Sequence, residues 1–359
     1  MLCLTSFMAC RNKPNFDIAT TNDVDNATLI VLAYPEEIVR TTPSFYSDLL
    51  PYIGMGIPGR IRAGHACMVL VKEGSDTFEY YDFGRYITPE NYSRARSAST
   101  DPETTIDIKA RWDGKHLTNL PELLQWLYDH PEKTRGVGDL YASMSEKVNY
   151  ERVKEYVQIM QSKGIMKYGP FVEEGSNCAR FVTDAMYHGI LDKKLHRKVR
   201  NQYLLTPSGL GNVGAANSDS HHFVVSEDSL YRSDKNLDQL QRSIIFDFGE
   251  GYGEYTTQGG LTPPKNITPR KGWQWLAGIG SGAWFSIKAT ANKHIYAISH
   301  INAKGLCEYN TFYESPIALD LSKNFEITYP SNFKHVSLAI EGKTIMLERI
   351  KDSKRYENI

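Results

Sequence analysis

The chain has little of what builds a disulfide scaffold or a metal cage. Its five cysteines, Cys3, Cys10, Cys67, Cys178 and Cys307, are odd in number and scattered through 359 residues, and no two form a CxxC pair. That pattern argues against a disulfide framework and against a zinc site. His221 and His222 in SDSHHFVV come nearest to a metal corner, but no carboxylate or cysteine stands at ligand spacing beside them. No metal and no cofactor are expected. An excess of either charge is also missing. The formal net charge is −1, so no global field recruits polyanions, and no nucleic-acid partner is expected. No stretch reaches the ~18 continuous apolar residues of a membrane-spanning helix. Internal repeats and low-complexity blocks are absent as well.

What is present suits a substantial core. Hydrophobic residues make up 41% of the chain and aromatic residues 11%, enough for one large or two modest domains. TLIVLAY (28–34) is a continuous apolar run of buried-strand type, stopped by Pro35. GHACMVLV (64–71) and FEYYDFGRY (78–86) read as two strands of a hairpin across KEGSDT. NYSRARSASTDPET (91–104) reads as an irregular surface loop. LPELLQWLY (120–128) is helical with Asn119 as its cap, and VNYERVKEYVQIMQSK (148–163) forms a second amphipathic helix. Beyond residue 205, TPSGLGNVGAANSDS and GEGYGEYTTQGGLTPPKNITP have the composition of long loops. From Gly272 onward strands dominate, and the clearest hairpin pairs VSLAI with TIMLERI across Glu341-Gly342-Lys343. The fold class is α+β: helices packed on an antiparallel sheet, then a β-rich C-terminal extension.

One short stretch carries chemistry. In GSNCARFVT (175–183), Ser176 and Asn177 are good N-cap residues, and apolar residues recur at helical spacing after them. Cys178 therefore sits in the first turn of a helix, where orphan N–H groups and the helix dipole favour a thiolate. Free cysteine is also a common core residue, so this stretch by itself supports a packing role as well as a nucleophile. A nucleophile needs a base. Of ten histidines, His65 is the one that opens a buried-type strand. With the hairpin turn near Gly74, paired residues sum to about 147 to 149, which puts Asp82 opposite His65 or on its diagonal, on the same face. A carboxylate there orients the imidazole and stabilises its cation. Tyr81 and Arg85 flank Asp82 and are candidate substrate-binding residues, with an ordinary sheet-surface role as the competing reading. Arg60, Arg62, Arg94 and Arg96 read more readily as a solvated basic face than as an anion site. None of Cys178→Ser, His65→Ala and Asp82→Asn removes a large apolar group, so all three are expected to leave the fold intact.

GHACMVL on a strand, a polar residue on the next strand, and SNCARFV opening a helix resemble the circularly permuted NlpC-type papain-like cysteine hydrolases. His65 precedes Cys178 by 113 positions (178 − 65), the reverse of the ordinary papain order. The resemblance covers roughly residues 27 to 200. It implies a papain-like core and a Cys178–His65–Asp82 catalytic set that cleaves an amide or peptide bond. At the N-terminus, the apolar MLCLTSFMAC resembles a bacterial lipobox, which implies lipidation of Cys10 and attachment to the cell envelope, with no other membrane association. The expected organisation is a signal and tether over 1–26, a permuted papain-like catalytic domain over 27–205, a loop-rich connector over 206–271 and a β-rich accessory region over 272–359. In an envelope, the unpaired Cys67 and Cys307 are expected to be buried. The expected substrate is a peptide or acyl amide, with cell-wall peptidoglycan the natural choice for an enveloped hydrolase of this kind. Two other readings stay open: a thiol acyltransferase or lipid hydrolase, and a non-catalytic binding lipoprotein.

Overall fold

The computed structural model describes residues 24–42, 48–170, 172, 174–204, 206–217, 220–246 and 260–351; Cys10 and the lipobox lie outside them. The chain forms two compact units. One is built from residues up to Gly84, Ala95–Ser97 and Thr104–Tyr255, and the other from Arg85–Arg94, Ala98–Glu103 and Thr256–Ile359.

The first unit is organised around β1 (Ala27–Tyr34), all eight residues of which are buried. A strand buried on both faces needs an unbroken apolar run, and ATLIVLAY supplies it. β1 pairs antiparallel with β2 (His65–Lys72), setting Tyr34 against His65 and Leu32 against Cys67. β2 in turn pairs with β3 (Glu79–Gly84), Cys67 against Asp82 and Leu70 against Glu79. The paired numbers sum to 149, so Asp82 lies on the diagonal of His65 and on its face. β4 (Tyr92–Arg96), β5 (Leu140–Val148), β6 (Met166–Lys167), β7 (His222–Ser226) and β8 (Ser229–Ser233) complete an eight-stranded sheet in the order β6-β4-β3-β2-β1-β5-β7-β8.

Helices cover both faces of this sheet. On one side lies the apolar face of α1 (Leu120–Asp129), with Leu120, Leu123, Leu124 and Leu127 packed in a cluster with Ile30, Leu32, Cys67 and Val69. Asn119 does not cap α1 with its side chain. It instead accepts from the Arg111 amide at 2.9 Å and donates to the Lys109 carbonyl at 2.9 Å, tying down the preceding loop. On the other side, α2 (Tyr150–Ser162), α3 (Cys178–Gly189), α4 (Lys193–Asn201) and α5 (Gly209–Ala216) bury Val153, Phe181, Val199 and Leu210 against Leu29, Val31, Met68 and Phe83.

Two expectations change. Residues 206–245 are not a loop-rich connector: α5, β7, β8 and α6 (Leu237–Ile245) belong to the first unit, with α5 and β7 in its core. GLGNVGAA is glycine-rich, yet Leu210, Val213 and Ala216 form a small apolar stripe that packs closely on the sheet. Residues 91–104 are likewise not a surface loop. Within YSRAR, Arg94 and Arg96 alternate along β4 and are buried, because each meets a carboxylate: Arg94 binds Asp101 at 2.5 and 2.6 Å, and Arg96 binds Asp82.

The second unit contains a seven-stranded antiparallel sheet. Its strands are β9 (Gln274–Leu276), β10 (Ala283–Ala289), β11 (Ile295–Ile301), β12 (Cys307–Glu314), β13 (Phe325–Thr328), β14 (His335–Ile340) and β15 (Lys343–Arg349), in the order β9-β10-β11-β12-β15-β14-β13. The expected β14–β15 hairpin pairs Ile340 with Lys343. Glu341 and Gly342 form its two-residue turn, both at positive φ (50° and 75°), the geometry that matches strand twist. Cys307 opens β12 and is exposed, contrary to the expectation that it is buried; Cys67 is buried.

A core helix and a connector respond differently to truncation. Leu210→Ala should cost about 2–5 kcal/mol in urea unfolding, whereas a solvated connector would change by no more than ~0.5 kcal/mol.

Candidate active site

The sulfur, the imidazole and the carboxylate are each placed by a local rule. Asn177, in extended backbone, accepts from the Arg180 amide at 2.8 Å and so caps α3. This sets Cys178 as the first helical residue. The amides of Cys178 and Ala179 are left without a partner among the described residues, a pair of donors at the positive end of the dipole. His65 is the first residue of β2 and follows Gly64, whose φ is 73°. A Cβ on Gly64 would stand 2.6 Å from the Tyr34 carbonyl oxygen and 2.7 Å from the Pro35 Cα. Glycine is thus required there for the chain to enter β2 so close to the end of β1. Asp82 comes from the middle of β3 and is completely buried.

The structure brings the three together. His65 Nε2 lies 3.5 Å from Asp82 Oδ2, and the Cys178 sulfur is near enough to the His65 ring and to the Ala66 amide for both to act on its pKa. Asp82 is held on its other sides. Arg96 donates Nε to Oδ1 at 2.9 Å and Nη2 to Oδ2 at 2.5 Å, and the Tyr80 hydroxyl donates to Oδ2 at 2.9 Å. Arg96 and Tyr80 also donate to the carbonyls of Lys133 and Thr134, at 3.4 and 3.3 Å, so the cluster is fixed to the chain beyond α1.

The electrostatics follow from these contacts. Burial would raise the Asp82 pKa, but the Arg96 guanidinium, then His65, hold it well below the usual carboxylate range. Burial also disfavours a charged His65, yet the hydrogen bonds to Asp82 and Cys178 outweigh it and raise its pKa to about 10. For Cys178 burial opposes the anion, and the His65 hydrogen bond and charge with the Ala66 amide overcome it, lowering the thiol below its ordinary value. Both shifts favour the thiolate–imidazolium form of the pair over the neutral one. For Cys67, two residues beyond His65 on the same face, burial outweighs the Tyr80 hydrogen bond and the Arg96 charge and pushes the thiol up.

Several neighbours went unforeseen. The Tyr168 hydroxyl lies 4.0 Å from Cys178 Sγ. Its loop is closed by a bridge between Tyr168 and Ser176, with the Gly169 amide donating to the Ser176 carbonyl at 3.0 Å. No sequence pattern points to it. Arg96 and Tyr80 were legible in principle, since the alternation of Tyr80 with Asp82, and of Arg94 with Arg96, is that of inward-facing strand residues. Of the candidate substrate-binding residues, Tyr81 is buried on the opposite face from Asp82. Its hydroxyl is hydrogen-bonded to Glu79, and Lys154 donates to it at 2.8 Å. Arg85 belongs to the second unit, buried, with its carbonyl accepting from the Gly280 amide. Neither is drawn into the Cys178–His65–Asp82 cluster by any contact described.

Two outcomes follow. Iodoacetamide should label Cys178, located by peptide mapping to separate it from exposed Cys307, at a nearly constant rate between pH 6 and pH 8. In His65→Ala the rate should instead rise with pH like that of an ordinary thiol with pKa ~8.5; a parental profile that already rises in this way would remove the ion pair. Asp82→Asn, expected from sequence to be silent for folding, should instead destabilise by several kcal/mol, about 3–5, because it leaves the Arg96 guanidinium buried without its counter-charge. Thermal or urea unfolding reads this directly.

Comparison with known proteins agrees with the first unit. Residues 29–195 match a family model described as type VI secretion system effector TseH-like, and residues 273–350 match one described as the DUF6695 C-terminal domain. A crystal structure of the type VI secretion system effector TseH aligns at 15% identity with a TM-score of 0.39, covering 58% of this chain and 98% of that one. No curated protein matches the sequence. Over residues 29–195, which hold His65, Asp82 and Cys178, the chain is similar to the TseH-like type VI secretion effectors, a family of papain-like hydrolase type.

Proposed function

We propose that the protein is a cysteine hydrolase of permuted NlpC type that cleaves an amide or peptide bond, with Cys178 as nucleophile, His65 as acid and base, and Asp82 as the orienting group. The observation that carries this reading is the preformed pairing of the Cys178 sulfur with a His65 ring that is backed by a buried carboxylate.

The chemistry runs through residues already in place. The Cys178 thiolate attacks the carbonyl carbon, and the developing oxyanion meets the amides of Cys178 and Ala179 at the start of α3. The His65 imidazolium gives its proton to the departing amine nitrogen as the C–N bond breaks, leaving a thioester and a neutral ring. Water then loses a proton to His65 and attacks the thioester, releasing the acid and restoring the pair. Asp82, held on both oxygens by Arg96, fixes the ring and favours its cation.

The substrate we favour is the peptide part of bacterial cell wall. The effector description of the matched family supports a hydrolase directed at another cell's material. Envelope attachment through a lipid on Cys10 is a separate element of the proposal, and the intact mass of the membrane-extracted protein checks it: a mass without a diacylglyceryl group removes the anchor and leaves the chemistry untouched.

Turnover of purified muropeptides, followed by mass spectrometry of the new amino and carboxyl ends, tests the function. Cys178→Ser and His65→Ala should fall to background, and their losses should not add. Asp82→Asn, assayed below its melting temperature, should lose only ~10- to 10²-fold. The alkaline limb of kcat/KM should fall near pH 10, where His65 loses its proton. Normal turnover by Cys178→Ser would sink the assignment. Acyl-chain release from lipid in place of muropeptide cleavage would move it to the acyltransferase class.

A further inference from the structure

At the far end of α3 from Cys178, roughly 15 Å along the helix at ~1.5 Å per residue, a cleft of about 430 Å³ opens beside α4. The proposed hydrolysis makes no use of it. Arg152 projects into it from α2, Tyr187 from the last turn of α3, and Lys193, His196, Arg197 and Arg200 from α4. Four of these are permanent cations, and no aspartate or glutamate is among its lining residues. For a chain of net charge −1, this is a sharp local imbalance.

The arrangement on α4 is not that of an ordinary solvated helix. Lys193, Arg197 and Arg200 fall at i, i+4 and i+7, on one stripe, while Leu195 and Val199 are buried on the opposite side. Like charges at this spacing repel, and none of the three has an ion-pair partner among the described residues. Asp192, the nearest acid in sequence, is turned away from the cleft to cap the helix, accepting from the amides of Lys194 and Leu195 at 2.9 and 3.0 Å. The frame is nonetheless held. His196 Nε2 bonds the Tyr187 carbonyl at 3.0 Å, and the two rings pack at 4.7 Å between centroids. Repelling cations are thus presented from a fixed scaffold into a cavity of ligand size.

We propose that this cleft binds two or more clustered phosphate groups. A single carboxylate would balance one of the three α4 cations and leave the other two unbalanced, whereas a polyphosphate offers Arg197 and Arg200 each a pair of oxygens that matches its planar fork. The same chemistry is available from a soluble polyphosphorylated molecule or from neighbouring phosphomonoester headgroups clustered on a lipid surface. The site is independent of the hydrolase reading and would stand if that reading failed.

The test uses the full chain and the variant Arg197→Gln/Arg200→Gln. Calorimetry with tripolyphosphate at constant ionic strength should show saturable binding that weakens about tenfold or more for each guanidinium removed, with sulfate giving no comparable heat. In parallel, co-sedimentation with phosphatidylcholine vesicles, with and without phosphatidic acid, distinguishes the source. Binding of tripolyphosphate assigns a soluble ligand, and binding confined to phosphatidic acid vesicles assigns a headgroup, provided the variant loses it. Iodoacetamide labelling of Cys178 at the parental rate shows the variant is folded. Absence of binding in both arms, equal binding of sulfate, or binding retained by the variant would overturn the proposal.

Discussion

A carboxylate buried without exposure must keep company with a cation, and the pairing of Asp82 with Arg96 is the constraint on which the candidate site depends. Desolvating either group alone would be prohibitive. Together they require β3 and β4 to lie side by side in one register, with the Lys133 and Thr134 carbonyls close enough to take the remaining donors. His65 is then presented with a carboxylate already fixed in direction. The ring is oriented by an anion that cannot swing away, and the pairing of His65 with Cys178 inherits that order.

The nucleophile is prepared from the opposite direction by main-chain geometry. α3 begins at Cys178 because Asn177 caps it, and β2 begins at His65 because Gly64 can approach Tyr34 and Pro35. Sulfur and imidazole therefore come together where a helix start and a strand start place them, so the alignment does not rely on mobile side chains. Buried Cys67, on the strand that His65 opens, shows the contrast: burial outweighs the Tyr80 hydrogen bond and the Arg96 charge and pushes its thiol up.

Much of this was legible in the sequence, for identifiable reasons. Continuous apolar runs announce buried strands, so β1 and β2 stood out, and the arithmetic of a tight hairpin brought Asp82 to the face of His65 before any coordinates. The Ser-Asn pair before Cys178 announced a helix start. What was hidden shares one cause: polar residues whose partners are remote in sequence. Arg94 and Arg96 resemble a surface loop until Asp101 and Asp82 are seen to neutralise them. GLGNVGAA resembles a linker until the sheet beneath it accepts such small side chains. Tyr168 reaches the sulfur through a loop closure that no local pattern encodes.

The interleaving of the two units has a consequence for the order of events on the ribosome. Between Gly84 and Thr104 the chain enters the second unit, returns for Ala95–Ser97, and leaves again before resuming the first. The segments Arg85–Arg94 and Ala98–Glu103 emerge long before Thr256–Ile359, with which they share a unit. They must wait through the synthesis of about 150 further residues, which takes ~8–30 s at ~5–20 residues per second. Arg96 is flanked on both sides by these waiting segments. The nascent protein thus holds its nucleophile, base and Arg96 before the sequence that completes the second unit exists, which makes late assembly of that unit a feature of the topology itself.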